Sequence, residues 1–309
     1  MMMNSKRILA LALGCMIAFN VSFAQDDALP FVRIVRDPVS ASMGFAGVAS
    51  GSETAYSSFR NSSVIPLSGD RFSTGFSYQN WAPDGVKTSN MNFGAAFKAG
   101  RFGFAVGGAY QMGEEYTTAD ASGNPKGTFS PNEMIVNGGV GLRILDNLAA
   151  GANVRYASQK LSDDNSYSAI AADFFLTYRL SDLNITAGVS SIGSSVKSDS
   201  GDSFSLPASA TIGADWARQF SDSHGLRLAV DVDCLFSGNV TAAAGAQYSF
   251  KNMLFARAGY HFGTKEAVLP SFATVGLGVR FFGVSLDFAY LTGNDVIGNS
   301  MTFGLGYRF

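Results

Sequence analysis

Histidine and cysteine are scarce in this 309-residue chain, two of each, and charge is low: Asp, Glu, Lys and Arg make up 15% and the net is -2. Each shortage excludes a class of function. With His224 and His261 the only imidazoles, a transition-metal site lacks ligands, and a nucleophile, histidine and carboxylate triad has little to build on despite abundant serine. No enzyme, metal or cofactor is expected. Without clustered Lys and Arg the chain offers no nucleic-acid surface. Glu114, Glu115 and Asp120 lack the spacing that marks a calcium loop. Beyond the first 24 residues no stretch approaches the roughly 20 apolar residues of a spanning helix, so any membrane crossing is made by strands.

What is present begins with an export signal. Lys6 and Arg7 precede an apolar run from Ile8 to Phe19, and Ser22-Phe23-Ala24 forms a small-residue cleavage site. Residues 1–24 are expected to be removed near Ala24, so Cys15 leaves with them, Cys234 stays alone and no internal disulfide forms. A lipoprotein reading would anchor the chain at Cys15, but Ala12-Leu13-Gly14-Cys15 is a poor acylation box after a short apolar run.

From residue 71 to 309 the chain divides into about fourteen alternating segments, near 71–80, 88–98, 101–112, 132–145, 147–158, 167–180, 183–191, 206–217, 225–237, 240–250, 252–263, 270–281, 283–292 and 298–309. Residues 226–236, LRLAVDVDCLF, are typical: Leu226, Leu228, Val230, Val232, Cys234 and Phe236 share one face, and Arg227, Ala229, Asp231, Asp233 and Leu235 the other. Short connections alternate with long polar ones such as 113–131, 159–166 and 192–205, and aromatics gather at both ends of the oily stripes. This is the pattern of an all-β, transmembrane, antiparallel up-and-down β-barrel of about fourteen strands. Its charged face is expected to point inward, where a hydrated lumen avoids the several kcal/mol cost of a buried charge. A soluble double sheet with the oily faces packed together is the alternative.

Residues 25–70 do not alternate. The run 37–66 is rich in small residues, with breaks at Gly44, Gly47 and Gly51, and suits one or two short helices at the turn-side opening or inside the lumen as a plug. Inner-stripe glycines, among them Gly94, Gly107, Gly151, Gly245 and Gly259, suit either room for such a plug or an apolar ligand, or simple strand curvature.

Ala41-Ser42-Met43-Gly44-Phe45-Ala46-Gly47, then Glu53-Thr54-Ala55 and Asn61-Ser62-Ser63, resembles the N-terminal block of the PorV/PorQ family, related to the FadL long-chain fatty-acid transporters. Members carry Asn-Pro-Ala where this chain has Asn61-Ser62-Ser63. The resemblance implies a monomeric outer-membrane barrel with a plug built around Met43, Gly44, Gly47, Glu53 and Asn61. It also implies a role in transport or in type IX secretion, with a hydrophobic small molecule or a secreted or surface protein as partner. In the final strand, Tyr307 and Phe309 resemble the signal read by the barrel assembly machinery of bacterial outer membranes, whose lipid would surround the apolar face. Inside, Arg155, Asp173, Arg179, Asp231, Asp233, Arg257 and His261 are candidates for a charge network that either stiffens the barrel or selects a polar head group. Asp231 and Asp233 are expected to meet Arg257.

Overall fold

The computed structural model describes residues 27–81, 88–119, 122–162, 165–197, 203–264, 269–292 and 299–309. The expected signal segment and its cleavage site lie outside them, as does Asp120. Fourteen antiparallel strands form one closed barrel in which each pairs with its sequence neighbours. They are β1 Phe72–Trp81, β2 Thr88–Ala99, β3 Phe102–Met112, β4 Asn132–Leu145, β5 Leu148–Lys160, β6 Ser166–Leu180 and β7 Leu183–Gly193. The second half comprises β8 Ser209–Gln219, β9 His224–Leu235, β10 Val240–Phe250, β11 Leu254–Phe262, β12 Phe272–Phe281, β13 Val284–Thr292 and β14 Ser300–Arg308. Closure is by β1 on β14, in register from Ser73 opposite Arg308 to Asn80 opposite Met301.

The period-two pattern sets which side chains meet lipid. Along β9, Val230 is 52% exposed while its neighbours Ala229 and Asp231 are 1% and 4% exposed. The same alternation places Phe76, Phe93, Phe104, Phe174, Leu277 and Phe303 on the outside. A broad belt of exposed Phe, Val, Leu and Ile around a closed sheet is stable only in hydrocarbon. No helix among the described residues is long and apolar enough to cross a membrane, and strands of this length cross it instead.

Turns on one rim are tight. Lys251 and Asn252 both have positive φ, 52° and 53°, as do Phe282 and Gly283 at 48° and 81°, the backbone of two-residue turns that match strand twist. The opposite rim carries the longer connections. Two of these, read from sequence as plain loops, contain small hairpins: Tyr116–Ala119 pairs with Pro125–Phe129, and Val196–Lys197 with Ser203–Phe204.

The core lies inside the ring. Residues 30–67 contribute one four-residue α-helix, Pro38–Ala41, and three 3-10 turns at Pro30–Arg33, Thr54–Phe59 and Ser62–Leu67. Most of their side chains are buried in the lumen, the exceptions being Pro30, Val32, Arg33 and Phe59. The bulky partners come from this plug and the small ones from the wall: Val39, Met43 and Ala46 pack on Ala229 and Ala243, and Ile65 on Ala96 and Ala105. Inner glycines complete the fit. A Cβ at Gly107 would lie 2.5 Å from the Phe59 ring, one at Gly103 2.5 Å from Ile65, and one at Gly75 2.7 Å from Tyr56. At these three positions the space an added carbon would need is taken by residues 56–65.

Candidate functional site

The plug is stitched to the wall by residues far apart in sequence. Asp37 caps the Pro38–Ala41 helix, accepting from Val39 N at 2.9 Å and Ser40 N at 3.0 Å. Burial, with Glu53 adding to it, raises the Asp37 carboxyl above its ordinary range. The next turn carries the chain through Met43, fully buried, to Gly44, whose N–H donates to Thr274 Oγ1 at 2.8 Å. At Gly44, with φ +68°, a side chain would overlap the Tyr260 backbone. Gly47 and Val48 donate their N–H groups to Asp231 Oδ2 at 2.8 and 2.9 Å. Asn61 caps the Ser62–Leu67 turn: its Oδ1 accepts from Ser63 N at 2.9 Å, and its Nδ2 donates to Val48 O at 2.9 Å. Ser63 Oγ then meets Thr177 Oγ1 at 2.6 Å, and Ser62 donates to Asn153 Oδ1 at 2.5 Å.

Of the candidate inner charges, Arg155 and Asp173 pair directly at 3.1 Å, both buried. Arg155 also donates to Phe59 O of the plug at 2.9 Å, and Asp173 Oδ1 accepts from Ser191 N at 2.8 Å where the β6–β7 register shifts. Asp231 and Asp233 do not meet Arg257. They lie on β9 and Arg257 on β11, and the register sets Asp231 level with Ala243 and His261, whereas Arg257 is level with Gln247 and Arg227. The two aspartates instead bind plug arginines, Arg60 to Asp231 at 3.0 Å and Arg33 to Asp233 at 3.1 Å. Arg257 pairs with Asp287 at 2.7 Å and donates to Gln247 at 2.6 Å. His261 is buried in an apolar stack, its ring 5.0 Å from Phe272 and 5.8 Å from Phe45. Arg179 lies near the turn rim, donating to Asn184 Oδ1 at 3.0 Å. Glu53 is 3.6 Å from Arg280 and 4.0 Å from Arg308. Tyr307 and Phe309 face outward with ring centroids 5.9 Å apart.

The charged face is thus the inner one, as expected, but most of its charges are surrounded by plug rather than by water. Three plug arginines were not foreseen: Arg33, Arg36 and Arg60. Their signal was present in FVRIVRDP and FRNSS, where cations sit in a segment expected to enter the lumen and therefore require wall carboxylates. Arg36 is 3% exposed, donates to Phe31 O at 2.8 Å and leaves Nε and Nη1 without partners among the described residues. Burial lowers its value to about 10, with Arg155 adding to the effect and Glu133 opposing it.

Between these groups, toward the long-loop rim, lies a cavity of about 100 Å³. Residues 32–36 form its roof, Phe45, Val48, Phe59 and Arg60 its floor, and Phe175, Leu269, His261, Asp173 and Asp231 part of its wall. The roof is fixed by Ala28 N donating to Ser205 O at 2.9 Å and by Leu29 and Phe31 in the apolar cluster above. Ring faces and guanidinium groups therefore line one small chamber, suited to a compact amphipathic molecule.

No protein-family description matches the chain, and no curated protein is similar to it in sequence. Solved structures are similar in fold. The Ralstonia pickettii toluene transporter TbuX superposes with a TM-score of 0.60 at 15% identity, over 88% of this chain and 97% of that one. The Pseudomonas putida toluene transporter TodX gives 0.54 at 14%, over 93% and 98%, and a Pseudomonas aeruginosa FadL homologue 0.53 at 12%, over 88% and 98%. The chain has the fourteen-stranded antiparallel barrel fold of FadL-like outer-membrane proteins.

Proposed function

We propose that this protein is an outer-membrane channel that admits small hydrophobic or amphipathic compounds at the long-loop rim and releases them when the plug yields. The observation that carries it is the chamber between residues 32–36 and the rest of the plug. At about 100 Å³ it is of the order that takes a single ring, since a cavity of about 150 Å³ holds benzene. A long fatty-acid chain needs the plug to move first. Neighbours of the same fold are described as toluene transporters, which agrees with a ring-sized cargo. Pairing is continuous through β2, β3 and β4, so the route runs along the lumen rather than through a gap in that part of the wall.

The test is uptake of labelled toluene into vesicles whose outer leaflet is lipopolysaccharide, because a plain phospholipid bilayer passes toluene unaided. Saturable uptake that requires the protein and changes when residues 37–66 are altered supports the channel; uptake equal to protein-free vesicles at every concentration refutes it. A second reading, a closed docking or secretion-associated barrel of PorV/PorQ type, is favoured by the lumen being filled and by the largely exposed hairpin of Tyr116–Ala119 with Pro125–Phe129. Isolation from native outer membranes without any stoichiometric protein partner would remove its support.

A further inference from the structure

At the turn rim five strands each deliver an arginine to one cavity of about 310 Å³: Arg179, Arg218, Arg227, Arg280 and Arg308. Two carboxylates share the lining, Asp215 and Glu53. Asp215 is engaged by Arg227 Nε at 2.7 Å, and both side chains are buried. Arg227 Nη1 and Nη2 have no partner among the described residues, although the residue is only 4% exposed. Arg179 is held by the neutral Asn184 carbonyl. Arg280 and Arg308 share Glu53 at 3.6 and 4.0 Å, distances long for a charge-assisted bond. Two further contacts lie toward solvent, Arg308 to Asp70 at 3.5 Å and Arg218 to Asp182 at 3.9 Å.

We infer that this vestibule binds a small oxyanion, a carboxylate or phosphate group arriving from the turn side, and that Glu53 of the plug is the tethered carboxylate with which it competes. A concave mouth with more guanidinium than carboxylate concentrates positive potential and draws anions inward. Unpaired buried N–H donors are costly, and an oxyanion with several lone pairs satisfies two forks at once. Glu53 directly precedes the Thr54–Phe59 turn, and its neighbour Ser52 accepts from Arg308 Nη1 at 2.7 Å. An anion that displaces Glu53 therefore acts on the end of the plug, and by linkage anything that loosens the plug there strengthens the anion. The inference stands whether or not the loop-side chamber conducts.

The experiment uses the full protein in phosphatidylcholine nanodiscs, titrated calorimetrically with inorganic phosphate at constant ionic strength in chloride. One saturable site is expected. Arg280→Gln combined with Arg308→Gln weakens it by about tenfold or more, Glu53→Gln tightens it several-fold, and Lys126→Gln on the rim hairpin leaves it unchanged. No saturable binding, or binding indifferent to both arginine and Glu53 substitutions, overturns the site. If the double variant does not assemble, Glu53→Gln decides alone, because an unchanged or weaker affinity contradicts competition. Repeating the titration in phosphatidylglycerol discs separates the sources: suppressed phosphate binding assigns the oxyanion to a lipid head group, and unaltered binding assigns it to a free ion.

Discussion

Replacing Gly245 by alanine adds one methyl group and, on the geometry of the lumen, should unseat the plug. The new Cβ would stand 2.5 Å from both Met43 Cβ and Met43 O and 2.9 Å from Met43 Cα. Met43 has nowhere to go sideways, because it is fully buried and the following Gly44 presses on the Tyr260 backbone. The plug must withdraw by about 1 Å to restore ordinary contact, and overpacking of this kind costs about 1–3 kcal/mol. The closed ladder of β9, β10 and β11 keeps the wall in place, so the cost falls on the seating of the plug. Its unseated population should rise about 5- to 150-fold. Planar-bilayer recordings read this directly as a rise in the frequency of open events, with the barrel itself intact. The control is Gly138→Ala, exposed on the outside with nothing within 4 Å of the added atom, which should behave as the unaltered protein. Equal recordings from both variants, each correctly assembled, would refute the claim that inner glycines are the seat of the plug.

Other perturbations test other parts of the interior. Asp173→Ala leaves Arg155 buried without its 3.1 Å partner and should lower stability by about 3–5 kcal/mol, measured by urea unfolding in lipid; a loss below about 1 kcal/mol would show that the pair is hydrated and weak. The Asp37 carboxyl is raised in the folded state, chiefly by burial, so the seated plug holds that proton more tightly than the released one. Its contribution is therefore full below the ordinary carboxylate value of 3.8 and is lost as pH rises through the raised value. Protease protection of the plug should fall over that window, and Asp37→Asn, which keeps a capping acceptor, should flatten the change. Deleting Phe309 removes its carbonyl from Arg71 N at 2.7 Å and Phe72 N at 3.1 Å, and its ring from Phe72 at 5.6 Å. Insertion into vesicles should slow, as followed by the appearance of the protease-resistant barrel; an unchanged rate would deny the last residue any part in closing the sheet.

Strands were legible because lipid enforces the period-two pattern without help from distant residues: β9 is oily at every even position from Leu226 to Cys234 whatever the plug does. The hairpin of Tyr116–Ala119 with Pro125–Phe129 was not, since nearly all residues of these two strands are exposed and no contrast between faces survives in the sequence. Interior partners were hidden for a different reason. Gly47 meets Asp231 across 184 positions and Arg33 meets Asp233 across 200, and adjacency of that kind depends on how deep the plug sits, which no local pattern encodes. The expected Asp231, Asp233 and Arg257 cluster failed on that point, because it treated wall charges as one another's nearest partners while the plug supplied closer ones.

Volume is nevertheless written into the chain on both sides of that contact. Met43, Phe45, Phe59 and Ile65 are large residues in a stretch rich in Ala, Ser and Gly, and the inner stripe facing Met43, Phe59 and Ile65 is Gly and Ala where an empty, water-filled barrel of this girth has no reason to avoid larger polar side chains. Met43, Phe59 and Ile65 each face a wall position where even one carbon more would collide, at Gly245, Gly107 and Gly103, while Phe45 packs on the rings of Phe272 and His261. Close packing admits neither voids nor overlap, so the excess of inward glycine and the presence of a filling segment are two statements of one constraint. A barrel with inward glycines on strand after strand and no plug to fill them would lose the dispersion contacts that hold this interior together.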